Sequence, residues 1–212
     1  MKKLTEKYKK AKTTLTNHLI DSTGLLIEST PIFAAIETNI AGMSDDVSIN
    51  ARLIAAGLTY FGGMGIIYSG GRDFYRKTFN ITAKAKEGVQ GLNDAVYTGL
   101  FNLVGSPIIY LISGSRDIGE IAIGTASATA LGLVNGAPMG YVVDAFRDLT
   151  GLKECERPAY PNLLKRQSPK IKKGLATLLV AGSIALTIGV YTLSQDKPNL
   201  DYQQTTQQII KK

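Results

Sequence analysis

Five predominantly apolar stretches alternate with polar segments along the chain. They cover about residues 18–40, 47–70, 89–112, 118–143 and 174–193. A helix of ~20 residues, at 1.5 Å per residue, crosses a ~30 Å hydrocarbon core, and each stretch reaches that length. The pattern predicts an all-α, polytopic membrane helix bundle. Its first four spans form two tandem helical hairpins, and the fifth is a separate C-terminal transmembrane helix.

The fifth stretch indicates a membrane most clearly, because it contains no charged residue and has lysines on both flanks. A buried helix of a soluble protein, the alternative interpretation, is rarely so free of charge. The second and fourth stretches are rich in glycine and alanine, which suits helices that pack closely in lipid. The first stretch is the most polar, since it contains Asp21, Glu28 and Glu37.

The polar segments divide the chain into parts. We predict a basic arm (1–17), a four-helix, transporter-like membrane domain (18–150), a basic linker (151–173), the fifth helix (174–193) and a polar tail (194–212). Although the formal net charge is +7, the mean hydropathy is close to zero, at +0.05. The average conceals the segregation of apolar and basic residues along the chain.

Lysine and arginine alternate from side to side of the predicted spans. Of the 24 in the chain, 19 lie in the arm, in the loop at 71–88 and in the segment at 144–173. Cytoplasmic loops collect such residues, so the chain is expected in the cell membrane with its N-terminus cytoplasmic and its C-terminus outside. A nucleic-acid partner is not expected, because no stacking aromatic residues accompany the basic segments.

The second and fourth stretches are similar when one is shifted by 75 residues. Two dipeptides set this register: Met64-Gly65 with Met139-Gly140, and Arg72-Asp73 with Arg147-Asp148. We predict a parallel repeat of two hairpins, residues 18–76 and 93–151; chance similarity of small-residue helices is the alternative. Transporters are often built from repeats with the substrate site between them.

Ionisable residues within the spans are costly and often mark transport pathways. Glu37 and Arg52 both lie near the outer end and could form an ion pair. Asp21 and Asp94 both lie about one turn from the inner end, where two carboxylates could share a proton. The alternatives are helix capping for either aspartate and snorkelling of Arg52 to the interface. The predicted substrate and proton pathway comprises Arg52, Asp94, Asp21, Glu37, Asn93 and Tyr97.

Enzymatic chemistry is not expected. The chain has one cysteine, Cys155, and one histidine, His18, so an internal disulfide, a histidine-based metal cluster and a catalytic triad are not predicted. We therefore expect neither a cofactor nor a metal.

The order and spacing of the polar residues resemble those of the L-alanine exporter family, small inner-membrane proteins with four spans. The resemblance covers about residues 18–150. It is carried by Asp21-Ser22-Thr23, Glu37, Gly42-Met43-Ser44, Ser48, Arg52-Leu53, Arg72-Asp73-Phe74, Asn93-Asp94, Pro107-Ile108, Tyr110, Gly140-Tyr141, Asp144 and Arg147. It implies export of L-alanine driven by the proton gradient, with Arg52 and Asp94 as the charged positions that serve transport. The linker, the fifth span and the tail are additions to the four-span pattern.

The expected function is that of a secondary transporter exporting a small neutral amino acid, L-alanine, coupled to the proton gradient. Asp94 with Asp21 would take the proton, and Arg52 with Glu37 would bind the substrate carboxylate or close the outer side. The expected partners are the amino acid, protons and the lipid bilayer, together with a second copy of the chain, since four helices are few for a transport path. The rival function is a non-transporting membrane scaffold or assembly protein.

Overall fold

The computed structural model of the protein describes residues 2–39, 45–112 and 118–195. Most of the segment between the first and second apolar stretches, the whole segment between the third and fourth, and most of the polar tail fall outside these ranges. All regular structure in the described residues is helical, which confirms the all-α prediction.

Seven helices lie in the described residues. They are α1 (Lys2–Asn39), α2 (Asp45–Tyr60), α3 (Met64–Thr78), α4 (Glu87–Ile112), α5 (Ile118–Thr150), α6 (Asn162–Lys165) and α7 (Pro169–Gln195). The predicted basic arm is helical from Lys2 and continues without a break into the first apolar stretch. The third and fifth predicted spans lie within α4 and α7.

Two helices in the described ranges are both long and apolar enough to cross a bilayer. One is Glu6–Asn39 within α1, with a mean hydropathy of 1.3, and the other is Pro169–Ser194 within α7, with 1.8. The bent pair formed by α2 and α3 is a third if it crosses as one span. Length and composition therefore do not confirm the predicted arrangement of four spans plus a fifth.

The prediction of one continuous second span at 47–70 is wrong. The chain bends by 66° between α2 and α3. Gly63 has a φ of +76°, a conformation that glycine adopts without the penalty of a Cβ atom. Because α3 then continues to Thr78, Arg72 and Arg76 lie on a helix and not in the predicted polar loop.

Side chains of α1 bond the backbone carbonyls at the end of α2. The His18 Nε2 donates to the Tyr60 carbonyl oxygen at 2.7 Å, and the Ser22 hydroxyl donates to the Thr59 carbonyl oxygen at 3.2 Å. Carbonyls released by a helix break are costly in lipid unless they find partners. The single histidine thus stabilises the break between α2 and α3.

Glycines allow α5 to pack closely on α4. Gly132, Gly136 and Gly140 recur every four residues along α5 and therefore lie on one face of the helix. A Cβ atom at Gly136 would lie 2.6 Å from the Ala95 Cα and 2.7 Å from the Asp94 carbonyl oxygen. Both neighbours are backbone atoms, so α4 and α5 would have to move apart to accept a side chain there.

We expect Gly136→Ala to destabilise the protein, because overpacking between two helix backbones costs about 1–3 kcal/mol. The matched control is Gly70→Ala on α3, where a Cβ atom would meet no atom within 4 Å. Thermal unfolding of the two variants in detergent checks this expectation. A midpoint for Gly136→Ala equal to that of the control would contradict the close packing of α4 and α5.

The linker at 151–173 folds back against α5. Cys155 and Tyr160 are buried beside Ala145, and the Tyr160 hydroxyl donates to Asp148 at 2.8 Å. The chain then enters α7, whose Ala176 packs against α5. The linker therefore places its side chains next to the ends of α4 and α5.

Candidate functional site

A buried network of arginines and carboxylates joins α1, α3, α4, α5 and the linker. We call it the arginine–aspartate cluster. In the described residues it contains Arg72, Arg76, Arg147, Arg157, Asp21, Asp73, Glu87, Asp94 and Asp144. Four cations and five anions nearly balance, which allows so many charges to be buried together.

Asp144 lies at the centre of the cluster. Its carboxylate accepts hydrogen bonds from Arg72, from Arg76 at 3.0 Å and from Arg157 at 2.7 Å. Burial alone would raise the pKa of Asp144, but the three guanidinium groups hold this pKa well below its ordinary value. Asp144 is therefore ionised and cross-links α3, α5 and the linker.

Asp94, on α4, is completely buried between two arginines. Arg76 donates to it through Nε at 2.9 Å and through Nη2 at 2.5 Å. Arg157 also donates to Asp94, and it contacts Glu87 at 2.7 Å. A linker residue therefore completes the surroundings of the charged position that the family resemblance marks on α4.

Asp21, on α1, is bonded to a different arginine. Arg147 donates to its two oxygens at 2.6 and 2.9 Å, and also to Asp73 at 3.1 Å. The predicted sharing of a proton by Asp21 and Asp94 does not match this structure, because each carboxylate is neutralised by arginine. Helix capping by Asp94 is also excluded, since α4 begins seven residues earlier, at Glu87.

A second charged site lies near the other end of α1. Arg52 Nη2 donates to Glu37 Oε1 at 2.5 Å, and the Ser48 hydroxyl donates to Glu37 Oε2 at 2.7 Å. The Arg52 guanidinium also lies over the Phe33 ring, 4.8 Å from its centroid. The ion pair considered from the sequence is present, and we call it the Glu37–Arg52 pair.

A cavity of about 120 Å³ lies between α1, α2, α3, α4 and α5. It extends along α1 from Leu25 to the Glu37–Arg52 pair, about 18 Å for 12 residues at 1.5 Å per residue. Its other polar lining groups are hydroxyls and one amide: Ser29, Thr30, Thr59, Tyr68, Thr98, Asn102 and Ser106. A mostly apolar cavity with a few convergent polar groups is typical of small-molecule sites.

Tyr68 separates the cavity from the arginine–aspartate cluster. Its ring packs against Phe101 at 5.2 Å and Tyr97 at 5.5 Å, measured between ring centroids. Its hydroxyl bonds the Thr98 hydroxyl at 2.8 Å, and Thr98 in turn donates to the Asp94 carbonyl oxygen. No residue of the cluster in the described chain lines the cavity.

Of the six residues predicted for the pathway, two line the cavity, two belong to the arginine–aspartate cluster and two belong to neither. Glu37 and Arg52 line the cavity, whereas Asp21 and Asp94 belong to the cluster. Tyr97 packs against Tyr68 and donates to a carbonyl on α3. Asn93 is buried, and its Oδ1 has no hydrogen-bond partner in the described structure. The structure therefore brings only two of the six to the cavity.

Sequence reasoning missed several members of these sites. The sequence pattern presents Arg76 and Arg157 only as charges of the polar segments, and it predicts no role for Glu87. The recurring Arg-Asp dipeptides did mark Arg72 and Arg147, although as signs of a repeat. The described residues contain no group of three or more His, Cys, Asp or Glu side chains placed to hold a metal ion.

Comparison with known families gives one match. The profile described as AlaE, L-alanine exporter, matches residues 10–153, well over half of the chain. The matched region begins in α1 and ends just after α5, so it contains the cavity and every residue of the arginine–aspartate cluster except Arg157. No curated protein and no solved structure matches the chain.

Proposed function

The chain belongs to the L-alanine exporter family, and on this premise we propose that it exports L-alanine across the cell membrane in exchange for protons. The cavity beside the Glu37–Arg52 pair carries this proposal. Free alanine has one carboxylate, one ammonium group and a single methyl group. A cavity with one cation, one anion and apolar walls complements all three.

In this proposal Arg52 binds the substrate carboxylate. A guanidinium presents its N–H groups as a planar fork that fits a carboxylate. Glu37, which Arg52 releases, would then accept hydrogen bonds from the substrate ammonium group. Without substrate the two residues satisfy each other, so the site does not leave either charge unpaired in the membrane.

The break between α2 and α3 supports a substrate site that changes conformation during transport. Thr59 and Met64, on the two sides of the break, both line the cavity. Transporters commonly place discontinuous helices at their substrate sites. We propose that rotation at 61–63 displaces Tyr68 and opens the cavity toward the arginine–aspartate cluster.

The proposed topology has α1, the bent α2–α3 pair, α4 and α5 as four passes and α7 as a fifth. The N-terminus and the cluster would face the cytoplasm, and the C-terminus would lie outside. A homodimer is part of this proposal, because four helices form a narrow bundle around the path. The groove between α1 and α7 is lined with hydroxyl and apolar side chains. In this proposal the groove faces lipid or a second copy of the chain.

Transport by proteoliposomes tests the proposed function. Vesicles loaded with labelled L-alanine should release it when a pH gradient is imposed, and release should stop when an ionophore collapses the gradient. A related exporter in parallel vesicles serves as the positive control. If this chain shows no gradient-dependent efflux while the control does, the transporter proposal is wrong and the scaffold function is favoured.

A further inference from the structure

Glu28 is a buried carboxyl group without a basic partner. It lies in the middle of α1 with 8 % of its surface exposed. Both carboxyl oxygens are inaccessible to solvent, and the one polar side chain that acts on them in the described residues is the amide of Asn135. Glu28 is seven residues from Asp21 and nine from Glu37, or about 10 and 14 Å along the helix. It thus lies between the two charged sites, close to neither.

The groups around Glu28 provide no cation. From α5 the polar group that acts on Glu28 is the neutral side-chain amide of Asn135. From α3 the titratable group that faces it is Tyr68, whose hydroxyl bonds Thr98. The packed segment of α7, at 174–193, carries no charge.

Two arginines on the neighbouring helices α2 and α3 already have other partners. Arg72, on α3, donates to the Gly140 carbonyl oxygen and to Asp144, and Arg52, on α2, donates to Glu37. Every other carboxylate buried within the described helices, at Asp21, Glu37, Asp94, Asp144 and Asp148, is paired with a basic side chain. Glu28 is the exception among them.

An ionised carboxylate without a cation or a hydrogen bond is very costly in an apolar interior, and such a group takes up a proton instead. We propose that Glu28 is the proton-binding residue of this exporter and that it is protonated in the conformation seen here. This inference rests on the proposed function. It replaces Asp94 and Asp21, which are bonded to arginines, as the site of the transported proton.

The surroundings of Glu28 suit a group that gains and loses one proton. Asn135 can accept a hydrogen bond from the protonated acid through its carbonyl oxygen, or donate one to the carboxylate through its amide nitrogen. Tyr68, which faces Glu28, also lines the cavity. Displacement of Tyr68 would admit water, and the O–H bond of Glu28 would then break, passing its proton to that water. A proton taken from water on the opposite side restores the acid.

Glu28→Gln tests the proposal, because glutamine copies the neutral acid but cannot release a proton. Two assays on the same vesicles are compared. Exchange of labelled for unlabelled alanine moves no net protons and should stay within about threefold of the unsubstituted protein. Efflux driven by a pH gradient should fall at least tenfold, and the exchange rate should lose its dependence on pH. Glu156→Gln, at an exposed position of the linker, is the control and should change neither assay.

Gradient-driven efflux by Glu28→Gln with an unchanged pH profile would overturn the proposal. Absence of both activities in the unsubstituted protein would instead overturn the transport function itself. Infrared spectroscopy decides the protonation state without a variant. At neutral pH the unsubstituted protein should show the carbonyl stretch of a buried protonated carboxyl group, and absence of this band would refute a protonated Glu28 even if the glutamine variant fails to fold.

Discussion

Asp144→Asn is expected to destabilise the fold by about 3–5 kcal/mol, the range measured when one partner of a buried ion pair is removed. Asp144 contacts three arginines, and Arg72 among them has no exposed surface. Asparagine would leave Arg72 with the Gly140 carbonyl oxygen and with one carboxylate in the described structure, Asp73, 3.7 Å away. We expect a large fall in the thermal unfolding midpoint in detergent. The midpoint is measured as the temperature at which the monodisperse peak in size-exclusion chromatography is lost.

Acid should have the same effect on the unsubstituted protein. Because the arginines lower the pKa of Asp144 in the folded state, its contribution to stability is complete above the ordinary carboxyl pKa of about 4. That contribution is lost as the pH falls below this value and the carboxylate is protonated. Asp144→Asn should therefore lose less stability than the unsubstituted protein as the pH falls from about 4 toward the lowered pKa of Asp144.

Two variants control the Asp144 prediction. Glu156→Gln removes a carboxylate from an exposed linker position and should leave the unfolding midpoint unchanged. Combining Asp144→Asn with Arg72→Met removes both partners of a pair, so it should recover part of the lost stability. Equal stability of Asp144→Asn and the unsubstituted protein would show that the cluster does not hold the helices together.

Arg52→Gln is expected to abolish alanine transport while the protein still folds. The change removes the cation proposed to bind the substrate carboxylate, and charged hydrogen bonds of this kind contribute about 1.5–3 kcal/mol, or roughly 10- to 150-fold in affinity. Glu37 is left without its cation but keeps the hydrogen bond from the Ser48 hydroxyl. Efflux from proteoliposomes and the unfolding midpoint in detergent should be measured together.

Exchanging the charges of Arg52 and Glu37 distinguishes a role in substrate binding from a role in the stability of the fold. The double variant Arg52→Glu with Glu37→Arg keeps an ion pair between α1 and α2 but inverts its orientation toward the cavity. It should restore the unfolding midpoint and not the transport rate. Lys84→Gln, at an exposed loop position, is the control for loss of one positive charge. Full transport by the exchanged pair would contradict a direct contact between Arg52 and the substrate.

The helical architecture was predictable because apolar composition over ~20 residues is a strong signal. The predicted stretch at 89–112 matches α4 to within two residues, and the stretch at 118–143 begins where α5 begins. Helix α5 continues beyond this stretch, to Thr150. In the sequence alone, the charges of Asp144 and Arg147 predict a polar loop. They are tolerated in a buried helix because each finds a partner of opposite sign on another helix.

The helix break was not predictable from composition. Phe61-Gly62-Gly63 lies in a stretch already rich in small residues, and such residues are also typical of unbroken transmembrane helices. The deciding contacts come from α1, where His18 and Ser22 bond the freed carbonyls. That pairing joins residues about 40 positions apart, and no local pattern reports it.

Charged residues were the least predictable part of the site. Counting lysines and arginines by loop gives Arg72, Arg76 and Lys84 the same meaning. In the structure Arg72 is buried, Arg76 is only partly exposed and Lys84 is exposed. Their distances from the span ends put Asp21 and Asp94 at the same predicted depth in the membrane. The sequence does not show which arginine each carboxylate contacts. Asp94→Asn is consequently a poor test of proton transport, because loss of the contacts to Arg76 and Arg157 would also disturb the fold.

Equilibrium binding of labelled L-alanine to the purified protein tests most directly that the cavity beside the Glu37–Arg52 pair is the substrate site. The protein should bind alanine saturably, unlabelled L-alanine should compete, and Arg52→Gln should bind at least tenfold more weakly with its fold intact. Lys84→Gln should bind as the unsubstituted protein does. Saturable binding of equal affinity in the folded Arg52→Gln variant would contradict this assignment, and so would the absence of any saturable binding of alanine.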